Sequence, residues 1–136
     1  VFSVTKKQSQ LEVNADDISI MVLKFKKNIL GEIHLDYFQR PDFKRCKIIS
    51  SKGTLYWDSS INEVKFYSNS KKKWIKKIEL KKYEKNQMYV DEILHFLKSV
   101  KNKKKTINPL NDGVKTLRIS LAAKKSSVQK KMLKIN

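Results

Sequence analysis

The sequence predicts an α+β domain: an open, largely antiparallel β-sheet with two helices packed on one face. Three observations predict it. Apolar and polar residues alternate with period two from the start of the chain to about Leu80. Helical spacing of apolar residues begins only near Asn86 and recurs after Pro109. The chain has 136 residues, of which 40% are hydrophobic, enough for one domain and one core. Three glycines and two prolines are too few for a disordered or fibrous chain.

The elements follow in order. Val1-Phe2-Ser3-Val4 reads as strand. In Ile18 to Phe25, Met21, Leu23 and Phe25 share one face, and Ile18, Ile20 and Val22 share the other. Asn28-Ile29-Leu30-Gly31 breaks that run as a hairpin loop does. The next strand is expected over Glu32 to Arg40, stopped by Pro41, which cannot donate to a ladder. Cys46 to Ser50, Thr54 to Trp57, Val64 to Tyr67 and Trp74 to Leu80 complete a sheet of five or six strands. Lys52-Gly53 and Asp58-Ser59-Ser60 mark turns between them.

Tyr89, Ile93, Phe96, Leu97 and Val100 then mark a helix capped by Asn86. Lys101 to Lys105 suits its negative dipole end. A second helix is expected after Pro109, with Asn111 as cap and Asp112 in its first turn. Its predicted buried stripe is Val114, Leu117, Leu121 and Val128, and Met132 to Ile135 reads as a final strand. The strand Ile18 to Phe25 is apolar on both sides, whereas helices cover one face. A second subunit, domain or sheet is expected on the Ile18, Ile20 and Val22 side.

No apolar run approaches the roughly 18 residues that cross a bilayer, and no secretion signal opens the chain. Cys46 is the only cysteine, so no internal disulfide forms and a cytoplasmic location is expected. Its setting, Cys46-Lys47-Ile48-Ile49, reads as a small buried thiol. The net charge of +18 raises nucleic acid as a partner. The cations, however, are dispersed lysines such as Lys26-Lys27, Lys81-Lys82 and Lys103 to Lys105. The arginines that read bases are only Arg40, Arg45 and Arg118. A solvated surface accounts for most of this charge, and no specific nucleic acid is expected.

No catalytic or metal constellation is visible. His34 and His95 are the only histidines, too few with one cysteine for a metal cluster. Asp91 and His95 stand four apart, as an ordinary helix-surface pair does. The glycines, Gly31, Gly53 and Gly113, form no Gly-x-Gly-x-x-Gly phosphate loop.

A set of ordered motifs points further. Tyr89, Glu92, Ile93, His95 and Phe96 resemble the "Y-x-x-E-I-x-H-F" helix of the glucose-fructose oxidoreductase, inositol dehydrogenase and MocA (Gfo/Idh/MocA) family. Asp112-Gly113, Leu117, Ala122-Ala123 and Ser126 resemble its "D-G-x-x-x-L…A-A-x-x-S" segment. Asp17 to Phe25 and then Gly31 resemble its "D-x-x-x-x-L-x-F-x-x-G" hairpin. Leu35-Asp36-Tyr37-Phe38-Gln39-Arg40-Pro41 resembles an "L-D-Y-x-Q-R-P" strand end. Ile48 through Gly53 and Leu55 resemble "I-x-G-x-x-G-x-L", with Ser50 or Ser51 where the first glycine is usual.

The resemblance implies a single C-terminal substrate and dimerisation domain over 1–136. The N-terminal Rossmann domain, with the catalytic Lys and His segments, would lie outside this sequence. It implies NAD or NADP chemistry in the parent protein, on a sugar, polyol or nucleotide-sugar hydroxyl or carbonyl. The fragment alone would be no enzyme, would carry no catalytic residue and would bind no cofactor. Substrate contacts are expected at Gln39, Arg40, Asn86 and Tyr89, and a homodimer interface at Ile18, Ile20, Val22 and Phe38. An arginine fork grips a carboxylate or phosphate, which favours an anionic sugar. The alternatives are a free-standing dimeric scaffold or binding module, and a basic nucleic-acid-binding domain.

Overall fold

The structure, a computed structural model, describes residues 1–80, 83–84 and 86–135. Lys81, Lys82, Lys85 and Asn136, including the lysine pair counted above, lie outside the described residues. The chain divides into two compact units, one of Val1–Gln39 with Lys105–Asn136 and one of Arg40–Lys104.

The first unit holds an antiparallel sheet in the order β1 (Phe2–Lys6), β2 (Ile18–Lys24), β3 (Leu30–Asp36). Directly opposed residues include Val4, Ile20 and His34 in one row and Phe2, Val22 and Glu32 in the next. The β2–β3 connection is a single 3-10 turn, Lys26–Asn28, in which Lys27 and Asn28 take positive φ. Gly31 thus falls inside β3, three residues after the turn. The long helix α2 (Leu110–Gln129) packs against β1.

Period two decides which side of this sheet is core. Met21 and Leu23 are buried with Val1 and Ala123, and Ile119, Ala122 and Leu133 pack on them. The opposite side carries Phe2, Val4, Ile20 and Val22, all exposed. Phe25, expected in the core, is exposed. It stands past the end of β2, at the entry to the turn, where the alternation no longer holds.

The buried face of α2 differs from the expected one. Val114, Leu117, Leu121 and Val128 are exposed; Ala123 and Ser126 are buried. At 100° per residue these two sets lie on opposite sides of the helix. The reason is the edge of β1. Ser3 N–H donates to Ser126 Oγ (3.2 Å), and Ser3 Oγ donates to the Ala123 carbonyl (2.6 Å). Thr5 N–H donates to Ser127 Oγ (2.8 Å), which donates to the Thr5 carbonyl (3.1 Å). Small residues let the helix come close enough for its hydroxyls to satisfy a strand edge that would otherwise be bare.

Val1 and Leu133 exchange both backbone hydrogen bonds, at 2.6 and 2.8 Å. The strand expected over Met132 to Ile135 is reduced to this one pair, with no strand assigned. The α2 cap is Pro109, not Asn111: its carbonyl receives Asp112 N–H at 2.9 Å, which puts Asn111 inside the first turn beside the expected Asp112.

The second unit holds a four-stranded antiparallel sheet in the order β4 (Arg45–Ser50), β5 (Gly53–Asp58), β6 (Glu63–Ser68), β7 (Lys73–Glu79). The helix α1 (Gln87–Lys101) belongs to the same unit, and Asn86 stands at its N-cap position without a side-chain capping hydrogen bond. Gly53 has φ +152°, and a Cβ there would stand 2.0 Å from the Tyr67 carbonyl oxygen. Only glycine fits that approach. Cys46 is exposed, not buried, because β4 is an edge strand and every residue of it is open.

One face of this sheet is ion-paired. Asp58 accepts from Arg45 (2.7 Å) and Tyr56 (3.2 Å), and Glu63 pairs with Lys65 (3.0 Å) and Lys77 (2.8 Å). Lys65 also lies over the rings of Tyr56 and Trp74. The other face is apolar: Ile48, Leu55, Phe66 stand in one row and Cys46, Trp57, Val64, Ile78 in the next. Fold class and antiparallel order match the sequence reading, but among the described residues seven strands form two hydrogen-bonded sheets where one sheet of five or six strands was expected. Among the described residues one helix falls in each unit, and α2 packs against β1.

Candidate functional site

The end of β3 is built by a carboxylate. Asp36 Oδ1 accepts the backbone N–H groups of Phe38 (3.1 Å) and Gln39 (2.6 Å), and Oδ2 pairs with His34 Nε2 (3.2 Å). Tyr37 N–H donates to the Asp17 carbonyl (3.1 Å). An Asp that captures the N–H groups two and three residues on forms a tight turn. This is why β3 ends at Asp36 and not at Arg40: the backbone of 37–39 is engaged by side chain and loop in place of a ladder.

Gln39, half-buried, therefore closes the first unit, held by Asp36 through its backbone. Arg40, exposed, opens the second. Asn86 and Tyr89 come together at the start of α1, where the Asn86 carbonyl accepts Tyr89 N–H at 3.1 Å. Tyr89 is exposed, as are Ile93, Phe96, Leu97 and Val100 along the same helix. Asp91 is bonded by Gln87 Nε2 (2.7 Å).

Asp17, the first residue of the early hairpin motif, is a second organising carboxylate. It is 2% exposed and accepts Gln8 N–H (2.6 Å), Ser9 N–H (3.0 Å) and the Ser9 hydroxyl, with Lys7 Nζ at 3.0 Å. Burial pushes its pKa up, but these donors outweigh it and hold the carboxyl well below the usual carboxylate range. In the second unit, hydrogen bonds led by Ser60 lower Asp58 to about 2 against a smaller opposing effect of burial. Lys77 and Lys65 lower Glu63, and Glu63 with Glu79 raises Lys77. These groups shape loops and sheet, and no three His, Cys, Asp or Glu residues among the described residues form a metal cluster.

The side of β2 on which association was expected is exposed. Ile20 and Val22 are 46% and 47% exposed on the side away from α2, with Ile18 half-buried beside them. Phe38, the fourth residue expected on this face, lies beyond the ladder, which stops at Ile18 opposite Asp36. Phe2 and Val4 of β1 stand on the same side, opposite Val22 and Ile20; the sequence reading placed them in a strand without assigning a side. The alternation of Phe2 and Val4 with buried Ser3 is the signal that could have found them. Among the described residues no helix is long and apolar enough to cross a membrane.

Comparison with known proteins gives two matches. A family model described as "Oxidoreductase family, C-terminal alpha/beta domain" (Gfo/Idh/MocA) matches residues 1–135. The fold is similar to a crystal structure of an oxidoreductase from Agrobacterium radiobacter in complex with NAD+, L-tartaric acid and magnesium. The TM-score is 0.75 at 14% identity, over 98% of this chain and 42% of that one. The chain thus spans less than half the length of the structure that it matches. No curated protein sequence matches it.

Proposed function

This chain belongs to the Gfo/Idh/MocA oxidoreductase family as its C-terminal α/β domain, and on that premise we propose that it is the substrate and dimerisation half of an NAD(P)-dependent oxidoreductase. The observation that carries the reading is the family match along essentially the whole chain. NAD+ bound in the similar oxidoreductase supports a nicotinamide cofactor. This chain's three glycines lie far apart in sequence and offer no phosphate cradle. The cofactor would therefore be held by an N-terminal Rossmann domain, the partner that this half requires, and hydride transfer would occur there.

What this chain supplies is binding. Arg40 offers a fixed planar cation and Gln39 an amide, both following the turn that Asp36 organises. Asn86 and Tyr89 offer an amide and a phenol at the first turn of α1. Such groups suit a sugar, polyol or nucleotide-sugar with hydroxyls to hydrogen-bond and an anionic group for Arg40. The exposed apolar side of β1 and β2 would form the homodimer interface.

The test uses the full-length protein. Arg40→Ala should weaken substrate binding, seen as a raised KM or lowered kcat/KM, by about tenfold to a hundredfold if the charge-assisted hydrogen bonds are lost. NAD(P)H affinity should stay near that of the wild type. Unchanged kinetics with an intact fold would remove Arg40 from the substrate site.

A further inference from the structure

The four-stranded sheet of the second unit separates its charges end from end. Every acid of its strands, Asp58, Glu63 and Glu79, stands in one row with Arg45, where the chain enters β4 and leaves β7. On the same face the next row is Lys47, Tyr56, Lys65 and Lys77, and the row beyond carries Tyr67 and Trp74. Positions 47–57 and 64–78 contain no Asp or Glu. Lys47, Lys52, Lys71, Lys72 and Lys73 are exposed there. The ion pairs of this sheet among the described residues use Arg45, Lys65 and Lys77 instead. We propose that this lysine-edged, aromatic end of the sheet binds single-stranded nucleic acid. Its lysines hold phosphates and Trp74 stacks on a base, without reading sequence.

The turns that carry the lysines are tied together. Asn69 N–H donates to the Lys52 carbonyl (3.1 Å), and Asn69 Nδ2 donates to the Ser51 carbonyl (2.8 Å). Ser68 Oγ accepts Lys71 N–H (3.3 Å). The β4–β5 turn is thus fixed to the β6–β7 turn, and both present cations at one end of the sheet. Like charges held in this way repel one another. A run of phosphates relieves that repulsion and releases its own counterions as it binds.

Trp74 is equally constrained. It meets Tyr67 edge-on, with ring centroids 5.5 Å apart and 74° between planes. Lys65 Nζ lies 5.0 Å from the Trp74 ring centre and 5.1 Å from that of Tyr56. Trp74 nevertheless remains 51% exposed. An aromatic side chain fixed beside cations is a stacking platform, and every base has a π-face to offer it. Lysines in place of arginines supply charge without the fork that reads base edges. An anionic lipid surface would also attract these lysines. The turn residues Ser51, Lys52, Asn69, Ser70, Lys71 and Lys72, however, include no apolar side chain to insert, and Trp74 stands behind them on β7.

Fluorescence anisotropy of a labelled oligothymidylate with the full-length protein tests this, beside an abasic oligomer of equal length and anionic lipid vesicles. The oligothymidylate should bind. From about 50 to about 200 mM salt its affinity should fall about twentyfold to a hundredfold, the response of about three to five phosphates. Changing Lys71, Lys72 and Lys73 together to Gln should lower the slope of log K on log salt by about two. The same change at Lys103, Lys104 and Lys105, an equal run outside this sheet, should lower it little. Trp74→Leu keeps an apolar side chain without a π-face. It should weaken the oligothymidylate about fivefold to a hundredfold and leave the abasic oligomer unchanged. No binding at low salt, equal losses from the two lysine triples, or an abasic oligomer bound as tightly as the oligothymidylate each overturns the site. Vesicles bound in preference to the oligothymidylate overturn it in favour of a membrane. The substrate reading is untouched by all of these, since Arg40→Ala tests it separately.

Discussion

Removing one hydroxyl, Ser126→Ala, should loosen the seat of α2 on β1. Ser126 is 0% exposed, and its Oγ accepts Ser3 N–H while donating to the Lys131 carbonyl at 2.7 Å. Ser3 is itself buried, so its N–H loses its partner with no route to water. An unsatisfied buried donor costs about 1–3 kcal/mol. Lys131 is exposed, and its carbonyl turns to solvent at little cost. Alanine favours helix over serine and returns roughly 0.5 kcal/mol. The net loss is roughly 0.5–2.5 kcal/mol, a fall in Tm of about 2–10 °C for a chain of this size. Thermal melts by circular dichroism, with hydrogen exchange at the Ser3 amide, read both quantities. Ser127→Ala is the control: Thr5 and Ser127 are only half-buried, so the smaller loss falls there. A Ser126→Ala protein with unchanged Tm and unchanged Ser3 protection would refute the edge-sealing account.

Other consequences are equally open to measurement. Gly53→Ala places a Cβ against the Tyr67 carbonyl at a φ of +152° and should cost at least about 2 kcal/mol by urea titration; a variant as stable as wild type contradicts the tight approach. Acid should destabilise the second unit in a defined window. The folded pKa of Asp58 is depressed to about 2, so its contribution is complete above the ordinary carboxylate range and is lost as pH falls from about 4 toward 2. Glu63, also lowered, acts in the same direction. Asp58→Asn should shrink the pH dependence of stability in that window, and an unaltered acid titration would count against it. For the first unit, Asp17→Asn should free the loop that Gln8 and Ser9 anchor, seen as faster amide exchange at those two residues and little change at Met21.

Much of the fold was legible because period two is a direct consequence of strand geometry. Each main strand expected from alternation is present, and the division of Met21 and Leu23 from Ile20 and Val22 is the observed division of core from surface. What failed was decided by hydrogen bonding rather than hydrophobicity. The α2 stripe was read from its largest apolar side chains. The sheet instead selects Ala122, Ala123 and Ser126, because β1 needs close approach and hydroxyl partners. The end of β3 was placed at Arg40, before the visible breaker Pro41, whereas Asp36 ends the ladder four residues earlier by capturing two N–H groups. Cys46 resembled a core residue by sequence, but strand order leaves it on an edge. The candidate contacts Gln39, Arg40, Asn86 and Tyr89 came from motif resemblance, since amides, a phenol and a guanidinium carry no spacing rule of their own.

The central claim is that this chain supplies binding and assembly while another domain supplies the nicotinamide site. Calorimetric titration of NAD(H) and NADP(H) into the 136-residue chain, and in parallel into the full-length protein, tests it most directly. The account predicts binding heat with the full-length protein and none with the chain alone. Micromolar binding of either nucleotide to the 136-residue chain would contradict it.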